Sequence, residues 1–498
     1  MKKSLKITLV SALALFLLAG CAAAPAISAE SLSQSSSSGE AALLFGATPS
    51  SKTTTVTVAS TEIDTAVSNR DASGEYDASE ALTLSPDGDL TITEAGTYIL
   101  SGSYNGMIVV QVGEEDKVQL VLDNAVITNE NGPAIYVRSA DKVFLTAAEG
   151  TVNTISDGSD YTLTDDDTTL DAAVFSRDDL TINGSGKLTI NGNCKHAVVS
   201  KDDLVITAKD LTVNAKNVGL NGKDSVRLSE AAVSITAGTD GIRSDNGTDA
   251  DKGYVSVAGS TVTIVSGKDG IQAETVFTAE NADVRITSGG GSGARSGDAS
   301  ESYKGVKAGV SVSINGGAYA IDSLDDAIHT DGSILVSGGE FTLQSRDDAI
   351  HANEKAEIAG GTMNIAACEG IEATYVLISG GDITIAASDD GINAARKSSA
   401  YTPTAEITGG TVTITMGAGD TDGIDSNGNI IITGGTISVS GNSSFDYDGT
   451  ATFTGGTVYV NGQQVTTLTN QMMGGGMGGF GGGPGRQGGF GGGPGGRH

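Results

Sequence analysis

Asp325-Asp326-Ala327-Ile328-His329, Asp347-Asp348-Ala349-Ile350-His351, Glu369-Gly370-Ile371-Glu372 and Asp389-Asp390-Gly391-Ile392-Asn393 are four versions of one short motif. Their acidic first positions, Asp326, Asp348, Glu369 and Asp390, follow one another at intervals of 22, 21 and 21 residues. A short fixed period marks a solenoid, because a unit of that size cannot bury its own apolar side chains and must stack on its neighbours. Working outward, copies start at Pro133, Ala172, His196, Val218, Asp240, Asp269, Lys304 and Asp422. Two residues after every start stands an aliphatic side chain: Ile135, Val174, Val198, Leu220, Ile242, Ile271, Val306, Ile328, Ile350, Ile371, Ile392 and Ile424. These twelve predict one buried ladder.

Each repeat holds three short stretches rich in Val, Ile and Thr, separated by glycine-containing turns, as in 327–330, 333–336 and 340–343. That composition suits strands. Stacking such units pairs each strand in parallel with its equivalent one turn on, which predicts an all-β parallel β-helix of about 21–22 residues per turn. The leucine spacing of leucine-rich repeats is absent, and a propeller needs longer repeats. Longer gaps contain polar inserts at 245–251, 289–301 and 395–403, which fit loops on the outside of a regular body.

Alternation along a strand places Ile328 inside and Ala327 and His329 outside, with Asp325 and Asp326 at the preceding turn. Stacking then generates two external columns. The first runs Asp240, Asp269, Lys304, Asp326, Asp348, Glu369, Asp390, Asp422; the second runs Arg243, Gln272, Lys307, His329, His351, Glu372, Asn393, Asp425. Carboxylates about 4.8 Å apart repel one another. Calcium relieves this by taking six to eight oxygens, so Asp325, Asp326, Asp347, Asp348, Glu369, Glu372, Asp389 and Asp390 are the candidate metal ligands. The competing reading is that Asp-Asp and Asp-Gly simply form good turns. His329 and His351 invite a transition metal, but the surrounding oxygens are hard, and a role in holding a ligand suits them better. Lys304 and Lys307 interrupt the acids, either as salt-bridge partners or as cations for a substrate carboxylate, with proton abstraction open to them should their pKa be lowered.

The chain ends read differently. Lys2, Lys3 and Lys6 precede an apolar run over 7–18, the pattern of a signal peptide over 1–20. Leu18-Ala19-Gly20-Cys21 has the form of a lipobox, which predicts a diacylated Cys21 and export to the outer face of the cell membrane. Residues 21–88 read as a disordered Ser/Thr-rich tether, 89–465 as the solenoid and 466–498 as a disordered glycine-rich tail. With 61 acidic against 29 basic residues the net charge is -32, which excludes a nucleic-acid partner. A monomer is expected.

The ordered series from Lys304-Gly305-Val306-Lys307-Ala308 through Asp389-Asp390-Gly391-Ile392-Asn393-Ala394-Ala395 resembles a family of bacterial carbohydrate-binding proteins. The resemblance covers about 96–460. It implies a right-handed, calcium-binding β-helix related to pectate lyases, and binding of cell-wall polysaccharide such as cellulose or acidic pectin. The chain departs from ordinary sugar binders in having no tryptophan, so ring stacking falls to tyrosines such as Tyr303, Tyr375 or Tyr401. Calcium-dependent binding is the leading function. A uronate lyase using Lys304 or Lys307 as its base and a structural adhesin are the alternatives.

Overall fold

The computed structural model describes residues 55–58, 61–79, 81–84, 88–162, 169–418 and 421–471. The signal peptide, Cys21, most of the tether and the glycine-rich tail from residue 472 lie outside the described residues.

Among the described residues there is one short helix, Asn69–Ser73, and otherwise strands and turns. The strands form a solenoid-like stack in which each pairs in parallel with its equivalent one turn further on. Lys187–Gly192 pairs with Asp210–Ala215, which pairs with Ala232–Ala237, which pairs with Thr261–Ser266. The aliphatic ladder holds without a slip: Ile135, Val174, Val198, Leu220 and Ile242 are successive partners, and so are Ile271, Val306, Ile328, Ile350, Ile371, Ile392 and Ile424. All twelve are at most 1 % exposed. Ile108 extends the ladder at one end and Phe445 at the other.

Two-residue alternation explains the interior. Along Thr261–Ser266 exposed and buried residues alternate strictly, so Val262, Ile264 and Ser266 face in. In-register parallel pairing then stacks like upon like, and each fully buried Ile or Val contributes about 1.5–3 kcal/mol. Chain ends close the stack. Leu82–Leu84 and Leu90–Ile92 start two ladders, and Gln463–Val465 folds back antiparallel on Thr457–Val460, covering the last strand edge.

Three expectations are corrected. Leu82–Leu84 belongs to the stack, although a start at residue 89 was expected. The tail begins later than 466, since Leu468 is buried and the Gln471 side chain accepts a hydrogen bond from the Ser444 backbone. The tether is interrupted by a strap over 61–79 that runs along the outside of the stack. Its carbonyls at Asp64, Ala66, Asp71 and Glu75 accept hydrogen bonds from Tyr254, Arg227, Thr207 and Gln119, the first three on successive turns and Gln119 three turns further. The strap's helix is fixed by a capping box between Ser68 and Asp71 and ended by Gly74 in the left-handed region at φ 61°. Asp71, 4 % exposed, also accepts from Thr181 and meets Lys142 at 3.1 Å.

Candidate functional site

The site is the notch at the corner that precedes each rung of the aliphatic ladder. The corner residue is always small: Gly305, Ala327, Ala349, Gly370, Gly391 and Gly423. A Cβ on Gly391 would lie 2.4 Å from Ile414 Cγ2 and 2.6 Å from the Gly423 carbonyl. The glycine is therefore required by space and not by backbone conformation. This also corrects the expected outward direction of Ala327, which is fully buried in the core. Its methyl fills the inside of the corner, which leaves the preceding acid at the rim.

Backbone bonds fix the acids one strand apart. The amides of Ala327, Ala349, Gly370 and Gly391 donate to the carbonyls of Asp348, Glu369, Asp390 and Asp422 at 2.9–3.0 Å. Part of the column is structural: Asp269, Asp326 and Asp390 each use Oδ1 to accept the amide of the next turn, from Lys304, Asp348 and Asp422. Turn formation therefore accounts for one oxygen of these acids. It leaves the second.

The second column is in register throughout, with Arg243, Gln272, Lys307, His329, His351, Glu372, Asn393 and Asp425 as successive partners. Neither column is a freely exposed stripe, because Asp326, Asp348 and Glu372 are only 3–5 % exposed. Burial makes charge balance decisive.

The upper part of the notch is balanced by side chains. Lys304 Nζ lies 2.8 Å from Asp325 and 2.9 Å from Asp326. His329 Nδ1 is 2.7 Å from Asp326, and the His329 and His351 rings stack with centroids 4.7 Å apart. His351 Nδ1 meets Asp348 at 2.7 Å and Glu372 at 2.9 Å, and its Nε2 faces Asn353 Oδ1 at 3.3 Å. With acceptors at both nitrogens the imidazole is held as a cation: burial opposes this, but the two carboxylates overcome it and push the pKa up to about 10. Lys397, from the insert over 395–403, reaches Glu372 at 2.8 Å. No column alignment could have revealed Lys397, since it lies in an insert.

The lower part differs. Glu369, Asp390 and Asp425 have no ion pair among the described residues. Burial, then Glu372 and the aspartates below, push Glu369 up to about 8. Burial, Asp389 and Asp425 push Asp390 up to about 7; burial and Asp446 push Asp425 up to about 6. Asn393 is 9 % exposed and donates to Glu369 at 3.0 Å, while its Oδ1 is buried with no hydrogen-bond partner. Oxygens alone line this part, the donor type calcium prefers, whereas the carboxylates that converge within 4.8 Å of one another are those of Asp325, Asp326 and Asp347. The eight expected ligands thus divide into Asp325, Asp326, Asp348 and Glu372, already held by Lys304, His329, His351 and Lys397, and the group of Glu369, Asp389 and Asp390. Asp347 lies beside the upper group, close enough to share a centre with Asp325 and Asp326. Asn393 and Asp425 complete the lower group. Their place in the second column was legible, but their donor role depends on burial.

Lys304 is ion-paired with both Asp325 and Asp326. Burial would lower its pKa, but Asp326 and Asp325 outweigh that and hold the ammonium protonated. Lys307, between Gln272 and His329, makes no hydrogen bond or ion pair among the described residues. Of the three tyrosines, Tyr303 is wedged against Gly289 and Gly297 beneath the insert over 289–301. Tyr375 and Tyr401 form a pair at 5.5 Å on the flank, with Tyr401 39 % exposed.

An all-β parallel solenoid with a charged notch along one corner is the class that fold and site define. The profile of the family described as carbohydrate-binding domain-containing protein matches residues 86–349 and 344–464, and the chain belongs to this family. A carbohydrate-binding domain-containing protein of Acetivibrio thermocellus is 40 % identical over 121 residues, 24 % of this chain. The match spans 42 % of that relative's length. A solved structure, the polysaccharide lyase-like protein from C. thermocellum as a gadolinium derivative, aligns with TM-score 0.42 and 30 % identity over 52 % of this chain and 95 % of that one.

Proposed function

We propose that this chain is a surface lipoprotein that binds acidic cell-wall polysaccharide through calcium, on a right-handed parallel β-helix. Membership of the carbohydrate-binding family supports the polysaccharide as ligand. One observation carries the calcium reading: Glu369 and Asp390 are pushed up to about 8 and 7 by burial and by neighbouring carboxylates, Glu372 foremost for the first and Asp389 for the second, with the buried Asn393 Oδ1 unsatisfied. A divalent cation held by Glu369, Asp390, Asn393 and Asp425, with Asp389 beside them, would give the raised carboxylates and the unsatisfied amide oxygen a common partner. Calcium commonly keeps open coordination positions, and these would accept uronate carboxylates that a chain of net charge -32 otherwise repels.

In this reading the protein's own residues orient the ligand. Lys307 offers a free ammonium to a second carboxylate one column position above His329. Asp326 and Asp348 keep His329 and His351 upright, so that the stacked rings form a fixed rim beside the acids. Residues 1–20 direct export, Cys21 carries the lipid, and the stack, which includes Leu82–Leu84, presents the notch outside the cell.

Retention of the purified protein in gels containing polygalacturonate, with calcium or with a chelator, tests this. Retention only with calcium, and no gain in ultraviolet absorbance from unsaturated uronate ends, is the expected result. Rising absorbance would make it a lyase, with Lys307 the remaining lysine in the notch free to act as base. Retention that ignores the chelator would remove calcium from the account.

A further inference from the structure

The insert over 395–403 ties the notch to the flank of the solenoid. On the two turns above it the corner is short, with Ala352 leading to Lys355 and Ala373 to Tyr375; on this turn it is long, and Ala394 leads to Thr404. Two consecutive amides of the insert, those of Lys397 and Ser398, donate to Thr374 Oγ1 at 3.0 and 2.9 Å. The Thr374 hydroxyl donates in turn to the Asn353 carbonyl at 2.7 Å, and Thr374 is fully buried, so the insert is pinned to the stack. From this pin the Lys397 side chain reaches into the notch, where its Nζ lies 2.8 Å from Glu372 Oε1. Near the far end of the insert Tyr401 leans on Tyr375, with ring centroids 5.5 Å apart.

Glu372 stands at the boundary between the balanced and unbalanced parts of the notch. Its Oε2 meets His351 at 2.9 Å. Its Oε1 takes Lys397 and, at 3.4 Å, the side-chain amide of Asn393, which also donates to Glu369 at 3.0 Å. Asn393 therefore links the carboxylate that Lys397 holds to one that has no ion pair among the described residues. The Glu372 side chain is only 5 % exposed and requires a counter-charge. Lys397 supplies it from the rim, its own side chain 35 % exposed.

We infer that Lys397 is a tethered counter-ion that a divalent cation displaces, so that it sets the ion selectivity of the notch and its insert opens when the ion arrives. The inference rests on the calcium reading of the lower group. A dication beside Glu369 repels the ammonium across Asn393 and frees Glu372 Oε1 as a further oxygen ligand. A monovalent ion brings no more charge than the ammonium already in place, and the tether keeps that ammonium at high effective concentration, so sodium and potassium do not displace it. Once the ammonium leaves, the insert loses its anchor in the notch, and the amides of Lys397 and Ser398 part more readily from Thr374.

Hydrogen exchange over 395–403, read by mass spectrometry in a chelator, in calcium chloride and in sodium chloride of matched ionic strength, tests this alongside calcium titration calorimetry of the full chain. Calcium should speed exchange of the insert about tenfold or more, and sodium should leave it unchanged. Lys397→Met should exchange fast in all three solutions and bind calcium about tenfold more tightly, while Lys397→Arg, which keeps the charge, should restore the wild-type pattern. Calcium binding that leaves exchange of the insert unchanged or slower would overturn the inference, as would a Lys397→Met chain that binds calcium no more tightly than wild type. Absence of calcium binding in wild type and variants alike would strike the calcium reading itself, and this inference with it.

Discussion

Glu369→Gln separates a metal site from a merely structural acid, because it should stabilise the metal-free protein and remove its response to calcium. Moving a carboxyl from 4.5 to about 8 corresponds to ~5 kcal/mol against ionisation at fixed geometry; water entry and side-chain relaxation reduce what folding feels to about 2–3 kcal/mol. The sign follows from linkage. A folded-state value raised above the unfolded one means that stability is fully present below about 4.5 and is lost as pH rises through about 8. Metal-free wild type should therefore weaken between pH 5 and 8.5. The variant lacks that slope from Glu369, and its Gln oxygen still accepts from Asn393 Nδ2, which wild type does at 3.0 Å. Thermal melts followed by circular dichroism in a chelator should show the variant melting about 2–5 °C above wild type at pH 8.5 and level with it at pH 4.5. Added calcium should raise the wild-type midpoint and leave the variant unmoved. A variant that melts below wild type at pH 8.5 without metal would refute the reasoning.

Lys304→Met leaves Asp325 and Asp326 without their ammonium, and should destabilise by about 3–5 kcal/mol at pH 7 and much less at pH 3, read by urea unfolding at both values. Ile350→Ala opens a cavity in the fully buried ladder and should cost about 2–5 kcal/mol in the same assay. Asp71→Ala breaks the capping box and the contacts to Thr181 and Lys142; limited proteolysis should then cut within 61–79 while the solenoid stays intact.

How far the sequence carried the fold depended on periodicity. All twelve aliphatic positions fell into one ladder because in-register parallel stacking turns a sequence period directly into a spatial neighbour. The same logic placed the acid column and the second column correctly. It did not reveal that Asp326 and Glu372 are sunk in a notch, because burial at a corner depends on the small residue beside the acid packing inward, as Ala327 does. Nor could period-based reasoning reach what lies outside the repeat. Lys397 arrives from an insert, and the strap announces itself only by the capping box of Ser68 and Asp71 and by Gly74. The division between a notch balanced by lysine and histidine and one left unbalanced was the least legible feature, since it follows from which side chains reach which carboxylates across turns.

Calorimetric titration of the metal-free chain with calcium at pH 7.5, in two buffers of different ionisation enthalpy, tests the central claim most directly. Glu369, pushed up to about 8, and Asp390, pushed up to about 7, hold protons that an arriving cation must displace. The predicted result is saturable binding whose apparent enthalpy changes with the buffer, in proportion to the protons released. Absence of binding, or binding with no proton release, would contradict a calcium site at these carboxylates.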